Sequence, residues 1–237
     1  GSQVVASREA LPACRMIKRA MITGLISTGV DVADLRVLPS PVNRHVLKLH
    51  GYDAGIHVTT SANDPELVRI QFHEPPGIQL TAALQKEIEK HFSRQELRRV
   101  GANEVGAITY PARVRETYAQ DLLTTVDAEA IRRRNFRIVV DYGYSAASHV
   151  LPLVLGPLGV EAVTAHQFTT DVEQGGLDLR ESLDQAKRLV AAIGADLGLV
   201  FDRAAERLYL IDERAQEISV EQALLLFLQL IGSNGRK

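Results

Sequence analysis

Helical and strand-like patterns of apolar residues alternate along the first half of this chain. One apolar set recurs at three- and four-residue steps and predicts a first helix, which Gly29 would cap: Leu11, Cys14, Ile17, Met21 and Leu25. Apolar runs between turn residues predict three strands: Val32–Leu38, Ala54–Thr59 and Val68–Phe72. A turn is expected at Pro39-Ser40-Pro41, and helices are expected in three places: through Val46–Leu49, at Thr81–Phe92 and at Ala112–Val126.

A similar series follows in the second half. Strands are predicted at four apolar runs: Phe136–Asp141, Val160–Ala165, Leu197–Phe201 and Leu208–Ile211. Helices are predicted at Ala146–Leu155, at Leu183–Ile193 and at Glu221–Leu230, the last opened by a capping box of Ser219 and Gln222.

Both halves also share one local order, a helix followed by Gly-Val-acid and then a strand, at Gly29-Val30-Asp31 and Gly159-Val160-Glu161. Alternating helices and strands favour mainly parallel sheets with helices on both faces. We therefore expect an α/β fold of two consecutive three-layer α/β/α domains, residues 1–130 and 131–237. The join is expected near the polar, arginine-rich stretch Val126–Asn135.

Composition narrows the class of protein. The chain has 237 residues, 46% of them hydrophobic and 24% charged, which is typical of a folded globular protein. Its net charge of -2 gives no reason to expect nucleic acid as a partner. No apolar run reaches the ~18 residues that a membrane span needs, and no signal-peptide pattern is present, so we expect a cytoplasmic protein without a membrane partner. Cys14 is the single cysteine and cannot form a disulfide within the chain.

The first chemical candidate is an acidic turn between two apolar strands, Leu199 to Glu213. Asp202 and Glu206, with Arg207 beside them, would lie at the edge of a sheet, where carboxylates and an arginine can hold a hard cation and a phosphate. The middle position of the turn is Ala204, which offers no ligand. The simpler alternative is a hydrated turn in which Arg207 pairs with one of the carboxylates.

The second candidate is the segment Gly55 to Pro65. Its strand ends in three successive hydroxyl residues, Thr59, Thr60 and Ser61, before a loop that Pro65 prevents from continuing as a strand. A serine at this exit is exposed and could carry a phosphoryl group. The alternative is an ordinary turn in which Asn63 or Asp64 bonds its own backbone.

Taken together, these segments resemble the α-D-phosphohexomutases, the phosphomannomutase/phosphoglucomutase superfamily, from Val4 to about Leu230. Val4 to Glu9 is similar to the family strand that ends in Gly-Arg-Asp, and Pro39-Ser40-Pro41 to its Pro-Thr-Pro turn. Gly55 to Pro65 resembles the active-serine loop Thr-Ala-Ser-His-Asn-Pro, with Ser61 at the phosphoserine position. Gly194 to Glu213 resembles the metal loop Asp-Gly-Asp-Gly-Asp-Arg.

The resemblance implies the first two domains of a four-domain isomerase that moves phosphate between Ser61 and the 1- and 6-positions of a mannose or glucose phosphate. It implies Mg²⁺ held by Ser61, Asp202 and Glu206, and a hexose phosphate bound by Arg8, Thr60, Asn63 and Arg207. The expected partners are the C-terminal mutase domains or a fused nucleotidyltransferase domain, and a homo-oligomer is also compatible with the sequence.

Several residues depart from the family pattern. Ala62 replaces the histidine after the serine, Gln71 replaces a lysine that serves as acid or base, and Leu11 replaces the second basic residue of the first motif. Ala204 replaces the middle metal carboxylate. Glu206 replaces the last one with a longer side chain. Since removing one such group costs roughly 10²–10³-fold in rate, we expect Mg²⁺ binding to be weak or lost and turnover to be low.

Two hypotheses follow. In the first, the chain is a phosphohexomutase-like fragment with the ancestral phosphotransfer chemistry. In the second, it is a non-catalytic regulatory or oligomerisation module of a mannose-1-phosphate guanylyltransferase-type nucleotidyltransferase. Both require the hydroxyl exit near Ser61 and the acidic turn at Asp202 to face each other across one crevice.

Overall fold

The computed structural model describes residues 1–61, 64, 67–95, 98–167 and 178–234. Its first half begins with alternating strands and helices: β1 (Gln3–Arg8), α1 (Pro12–Ile26), β2 (Asp31–Val37), α2 (Ser40–His50), β3 (Ala54–Thr60), β4 (Val68–Glu74), β5 (Ile78–Gln79) and α3 (Ala82–Arg94). A short strand and two helices follow: β6 (Ile108–Thr109), α4 (Val114–Leu123) and α5 (Ala128–Arg134). Within these residues the strands form one sheet in the order β5-β4-β3-β1-β2-β6. The pairings of β1 with β2, β1 with β3 and β2 with β6 are parallel, and those on the β4–β5 side are antiparallel.

The second half builds a smaller mixed sheet. Its elements are β7 (Arg137–Asp141), α6 (Leu151–Leu155), β8 (Glu161–Ala165), α7 (Leu179–Ile193), β9 (Leu197–Phe201), β10 (Leu208–Ile211), β11 (Glu217–Ile218) and α8 (Val220–Asn234). In the described residues the strand order is β11-β10-β9-β7-β8, with β7 parallel to β8 and β9 and the outer hairpins antiparallel. The expected α/β class is confirmed, and both sheets are mixed with a parallel centre.

Each sheet lies between two helical layers. Successive strand residues point to opposite faces, and in β1 Val4 packs with Cys14 of α1 while Val5 packs with Val46 of α2. In β7 the same alternation places Val139 against α7 and Val140 against the Ala147–Leu155 side. The central strands β1, β3 and β7 are buried along almost their whole length, as strands covered on both faces are.

Three expected elements differ from the structure, two of them at prolines. The predicted turn at Pro39-Ser40-Pro41 is the start of α2, because proline fits the first helical turn, where its missing N–H is not needed. The predicted helix Ala146–Leu155 is a 3₁₀ turn at Ala146–His149 followed by α6, since Pro152 cannot continue a preceding helix. The helix predicted at Ala112–Val126 is shorter, because Arg113 precedes it with φ 56°. The capping box is confirmed: the Gln222 backbone N–H donates to Ser219 Oγ at 3.2 Å, and the Ser219 backbone N–H donates to Gln222 Oε1 at 2.9 Å.

The two sheets are joined through α4. The described strands of the first sheet end at Thr109 and those of the second begin at Arg137. Between them, Tyr118 of α4 packs against the core that contains Val5 of the first sheet, and Ala119 packs with Val154 of α6. The division at residue 130 stays a prediction. In the described part of the chain, no helix has both the length and the apolar character needed to cross a bilayer.

Candidate phosphate site in the interdomain crevice

The first wall of the site is the carboxyl edge of the first sheet. β1 and β3 are parallel neighbours, so the residues that follow them meet at one edge. Glu9 is buried there. Its carboxylate accepts hydrogen bonds from the Thr59 hydroxyl, the Thr60 hydroxyl at 3.3 Å and the Thr60 backbone N–H at 3.4 Å. Burial raises the pKa of Glu9 to about 7, although these hydrogen bonds act in the opposite direction. Glu9 thereby fixes the threonines that lead to Ser61.

The second wall is the β9–β10 turn. Asp202 Oδ1 accepts the backbone N–H of Glu206 at 2.8 Å and of Arg207 at 3.0 Å, which closes the turn on its own side chain. Ala205 occupies the left-handed region at φ 52°. The other oxygen, Asp202 Oδ2, is buried and has no hydrogen-bond partner in the described residues. Burial raises the pKa of Asp202, and the backbone hydrogen bonds partly oppose that rise.

The two walls face each other, as the sequence hypotheses require. Thr60 from the first domain and Asp202, Ala204 and Arg207 from the second line one crevice of about 190 Å³. Direct contacts cross between the domains beside it, because the Glu206 carboxylate accepts hydrogen bonds from both Arg69 and Gln71 of β4. Arg69 and Gln71 can reach Glu206 because β4 is paired with β3, the strand that leads to Thr60.

The predicted site residues are only partly brought together. Thr60 and Arg207 line the crevice. Ser61 follows β3 directly, and its backbone N–H donates to the Leu67 carbonyl at 2.8 Å. Asn63 lies outside the described residues, as does Ala62. Arg8 is directed elsewhere: its guanidinium donates to the carbonyls of Glu9 at 2.6 Å and Ala10 at 3.3 Å, and it lines a separate cleft.

Arg203 is a further candidate that the sequence reasoning did not single out. It lines the crevice with Thr60, and its Nη2 is buried without a hydrogen-bond partner among the described residues. A guanidinium nitrogen in that state is suited to a phosphate oxygen. The available signal was the metal-loop motif, in which Arg203 stands at the first glycine position and adds a cation where the family has no side chain.

The acidic turn does not fit Mg²⁺ well. Mg²⁺ usually takes one or two carboxylates together with waters and substrate phosphates. Ala204 supplies a buried methyl group at the middle position, and the Glu206 carboxylate is engaged by Arg69 and Gln71. Asp202 Oδ2 is therefore the carboxylate oxygen of this turn that is left for a cation. The described residues contain no cluster of three or more His, Cys, Asp or Glu with metal-binding geometry. The ligand set Ser61, Asp202 and Glu206 stays a prediction.

Two three-layer α/β/α domains with a hydroxyl-rich strand exit facing an acidic turn are the arrangement that the resemblance to the phosphohexomutases predicts. The family model described as Phosphoglucomutase/phosphomannomutase, alpha/beta/alpha domain I, matches residues 1–99, and the model of alpha/beta/alpha domain II matches residues 116–216. The chain belongs to the phosphoglucomutase/phosphomannomutase family and comprises its domains I and II.

Relatives and a solved structure agree with this assignment. A "Phosphoglucomutase/phosphomannomutase" of Thermococcus kodakarensis is 32% identical over 94% of this chain and 49% of the relative. A protein of Pyrococcus abyssi named "Probable phosphoglucosamine mutase" is 29% identical over 95% of this chain and 49% of the relative. The chain thus spans about half the length of these relatives. A phosphoglucomutase/phosphomannomutase family protein from Burkholderia thailandensis has the same fold, with a TM-score of 0.83 at 22% identity, covering 99% of this chain and 52% of that one.

Proposed function

We propose that this chain binds a hexose phosphate in the crevice between Ser61 and the acidic turn and that, by itself, it turns the ligand over slowly or not at all. Two cationic side chains support phosphate binding there, Arg203 with its buried unpartnered nitrogen and Arg207. The crevice of about 190 Å³ is smaller than the ~300 Å³ at which ligand pockets usually begin, so it suits a phosphate and part of a sugar.

The interdomain contact of Glu206 is the observation that carries the low-turnover part of the proposal. A carboxylate bound to Arg69 and Gln71 must break two hydrogen bonds before it can bind a metal. Gln71 also cannot transfer a proton, whereas the lysine that the family has at this position can. The residues that normally stabilise the transferred phosphoryl group are therefore replaced by a neutral amide, a methyl group and an engaged carboxylate.

The mutase-type step remains the ancestral reaction in this proposal. The Ser61 hydroxyl oxygen would form a bond to phosphorus as the bond from phosphorus to the sugar oxygen breaks, and that sugar oxygen would take the serine proton. Candidate substrates are mannose and glucose phosphates, and the names of the archaeal relatives add glucosamine phosphates.

The test uses intact mass spectrometry and calorimetry on the chain. We expect mannose 6-phosphate or glucose 6-phosphate to bind, and Arg203→Gln to weaken that binding by roughly tenfold, the loss of one charge-assisted hydrogen bond. After incubation with glucose 1,6-bisphosphate, any added phosphate should be absent from Ser61→Ala. The matched control for Arg203→Gln is Arg133→Gln, which removes an exposed arginine far from the crevice. Equal affinity of the Arg203→Gln variant and the native chain would contradict a phosphate site at the crevice.

The second candidate function is a non-catalytic regulatory or oligomerisation module of a nucleotidyltransferase. The same engaged Glu206 and the neutral Gln71 favour it. The discriminating experiment restores Gln71→Lys, Ala204→Asp and Ala62→His together in the full-length protein. A gain of mutase activity would support the mutase-like fragment, and ordinary turnover of mannose 1-phosphate by the unmodified full-length protein would exclude the non-catalytic module.

A further inference from the structure

A second cleft of the described structure lies away from the crevice. It encloses about 1030 Å³ and is formed by α1, the ends of β1 and β2, and the segment from β6 to the start of α4. None of its lining residues also lines the Thr60–Asp202 crevice. We refer to it as the arginine cleft.

The arginine cleft is strongly cationic although the chain as a whole carries a net charge of -2. Seven arginine and lysine side chains line it, against two carboxylates, Asp34 and Glu116. Asp34 is already engaged, because it forms an ion pair with buried Lys18 and accepts the backbone N–H of Arg36 at 2.7 Å. Glu116 faces Arg115 at 4.0 Å. The remaining positive charge has no acidic counterpart within the cleft.

Four lining arginines have no acidic partner anywhere in the described residues: Arg15, Arg19, Arg36 and Arg113. The positive charges also act on neighbouring groups. The pKa of Arg8 is lowered, first by burial and then by Arg15, and the pKa of Lys18 is lowered by burial, with Arg8 and Arg19 contributing in the same direction. Like charges arranged in this way repel one another, and a bound anion would relieve the repulsion.

Backbone geometry at the cleft gives a second, independent observation. Arg36 has φ 62° and Arg113 has φ 56°, in a region that residues with a side chain seldom occupy. Both residues line the cleft, and strain of this kind is concentrated at ligand sites, where surrounding structure maintains it. Arg36 also lies over the ring of Tyr110, with its guanidinium carbon 5.0 Å from the ring centre, so its side chain is held at the cleft wall.

We propose that the arginine cleft is a second ligand site and that it binds a small molecule carrying a diphosphate or two phosphate groups. Guanidinium groups match phosphate oxygens in bidentate geometry, and several of them suit more than one phosphate. The volume is that of a site for a whole small molecule rather than for a single phosphate ion. The proposal goes beyond the hexose phosphate site and does not depend on it, because the two cavities share no residue.

The test is a calorimetric titration of the chain with inorganic pyrophosphate. The informative variant is Arg15→Gln with Arg19→Gln, since both side chains are exposed on α1 and their removal relieves a like-charge pair four residues apart. The control is Arg133→Gln with Arg134→Gln, which removes the same charge from exposed positions of α5. We expect pyrophosphate to bind the native chain and the control alike and to bind the Arg15/Arg19 variant at least roughly tenfold more weakly.

Further arms identify the ligand and separate this site from the crevice. Titrations with adenosine diphosphate and with glucose 1,6-bisphosphate distinguish a nucleotide ligand from a sugar bisphosphate ligand. The compound that binds more tightly indicates which class of molecule carries the phosphates. Arg203→Gln should leave pyrophosphate binding unchanged, so failure of the crevice site is seen separately. The proposal is wrong if the native chain does not bind pyrophosphate at about 10 mM, which is well above the Kd of a weak but specific site. It is also wrong if the two double variants weaken pyrophosphate binding equally. Tighter binding of a DNA duplex that depends on Arg15 and Arg19 would also overturn it.

Discussion

Glu9 should make the stability of the protein depend on pH in a direction opposite to that of carboxylates whose pKa is lowered by ion pairs or hydrogen bonds. Its pKa rises from 4.5 to about 7 because the side chain is buried. The folded state therefore binds a proton at Glu9 more tightly than the unfolded state does. The stabilisation that this proton provides is complete below the unfolded pKa of Glu9 and is lost as the pH rises through its folded pKa. At high pH this pKa shift corresponds to a loss of about 3 kcal/mol in the free energy of unfolding. Between about pH 5 and about pH 8 the loss should be about 2.5 kcal/mol.

Other buried groups oppose this trend, so the pH profile of the native protein alone does not isolate Glu9. Burial lowers the pKa of His57 to about 3 and that of His73 to about 4. A histidine that is neutral when folded contributes stability above its unfolded pKa and loses it as pH falls. Their contribution therefore grows from about pH 5 to about pH 8 while that of Glu9 declines. A variant at Glu9 is needed to separate the two.

The suitable variant is Glu9→Gln, which keeps the shape of the side chain and cannot ionise. Its carbonyl oxygen can accept the Thr60 backbone N–H, and its amide can donate to the Thr59 hydroxyl, which rotates to accept. Urea denaturation of both proteins at about pH 5 and about pH 8 gives four free energies of unfolding. The variant should gain about 2.5 kcal/mol relative to the native protein between the two pH values. Equal pH dependence in the two proteins would refute the reasoning, because it would mean that Glu9 titrates normally.

Two further predictions concern single side chains. Tyr142→Phe should leave the free energy of unfolding unchanged or raise it by about 1 kcal/mol, because the buried hydroxyl has no hydrogen-bond partner in the described residues; a loss measured by urea denaturation would show that the hydroxyl is satisfied. Glu206→Ala should lower the free energy of unfolding by about 1 kcal/mol, since the pair with Arg69 is partly exposed, and should speed hydrogen exchange in β4. Glu129→Ala, which removes a fully surface ion pair, is its control.

The sequence predicted the order of the main elements because most carry a clear apolar period. Leu197–Phe201 and Leu208–Ile211 match β9 and β10 at both ends. The two-residue strands β5, β6 and β11 were not predicted, because pairing with a longer neighbour creates them and no local pattern marks them. The prolines at Pro41 and Pro152 were ambiguous for a local reason, since proline fits both a turn and a first helical turn.

In the candidate sites, too, features marked by a local motif could be predicted, and contacts between residues far apart in the sequence could not. The facing of Thr60 and Asp202 followed from a resemblance in motif order, and the crevice confirms it. The partners of Glu206 could not be predicted, because Arg69 lies 137 residues away and the approach depends on how the domains meet. The arginine cleft was missed for a related reason. Its cations come from the end of β1, from α1, from β2 and from the start of α4, and no single segment of the sequence contains all of them.

The interdomain contact of Glu206 bears on both proposed functions, the mutase-like fragment and the non-catalytic module. In a metal-dependent phosphotransferase the acidic turn must keep its carboxylates available to the cation, so any stable protein partner competes with the metal. Here Arg69 and Gln71 occupy that carboxylate and at the same time connect the second domain to β4 of the first. Gln71, one of the residues that depart from the family pattern, thereby helps to hold the crevice walls together. A fixed crevice is suited to binding a ligand without transforming it, and this is the physical basis of the proposed hexose phosphate binding.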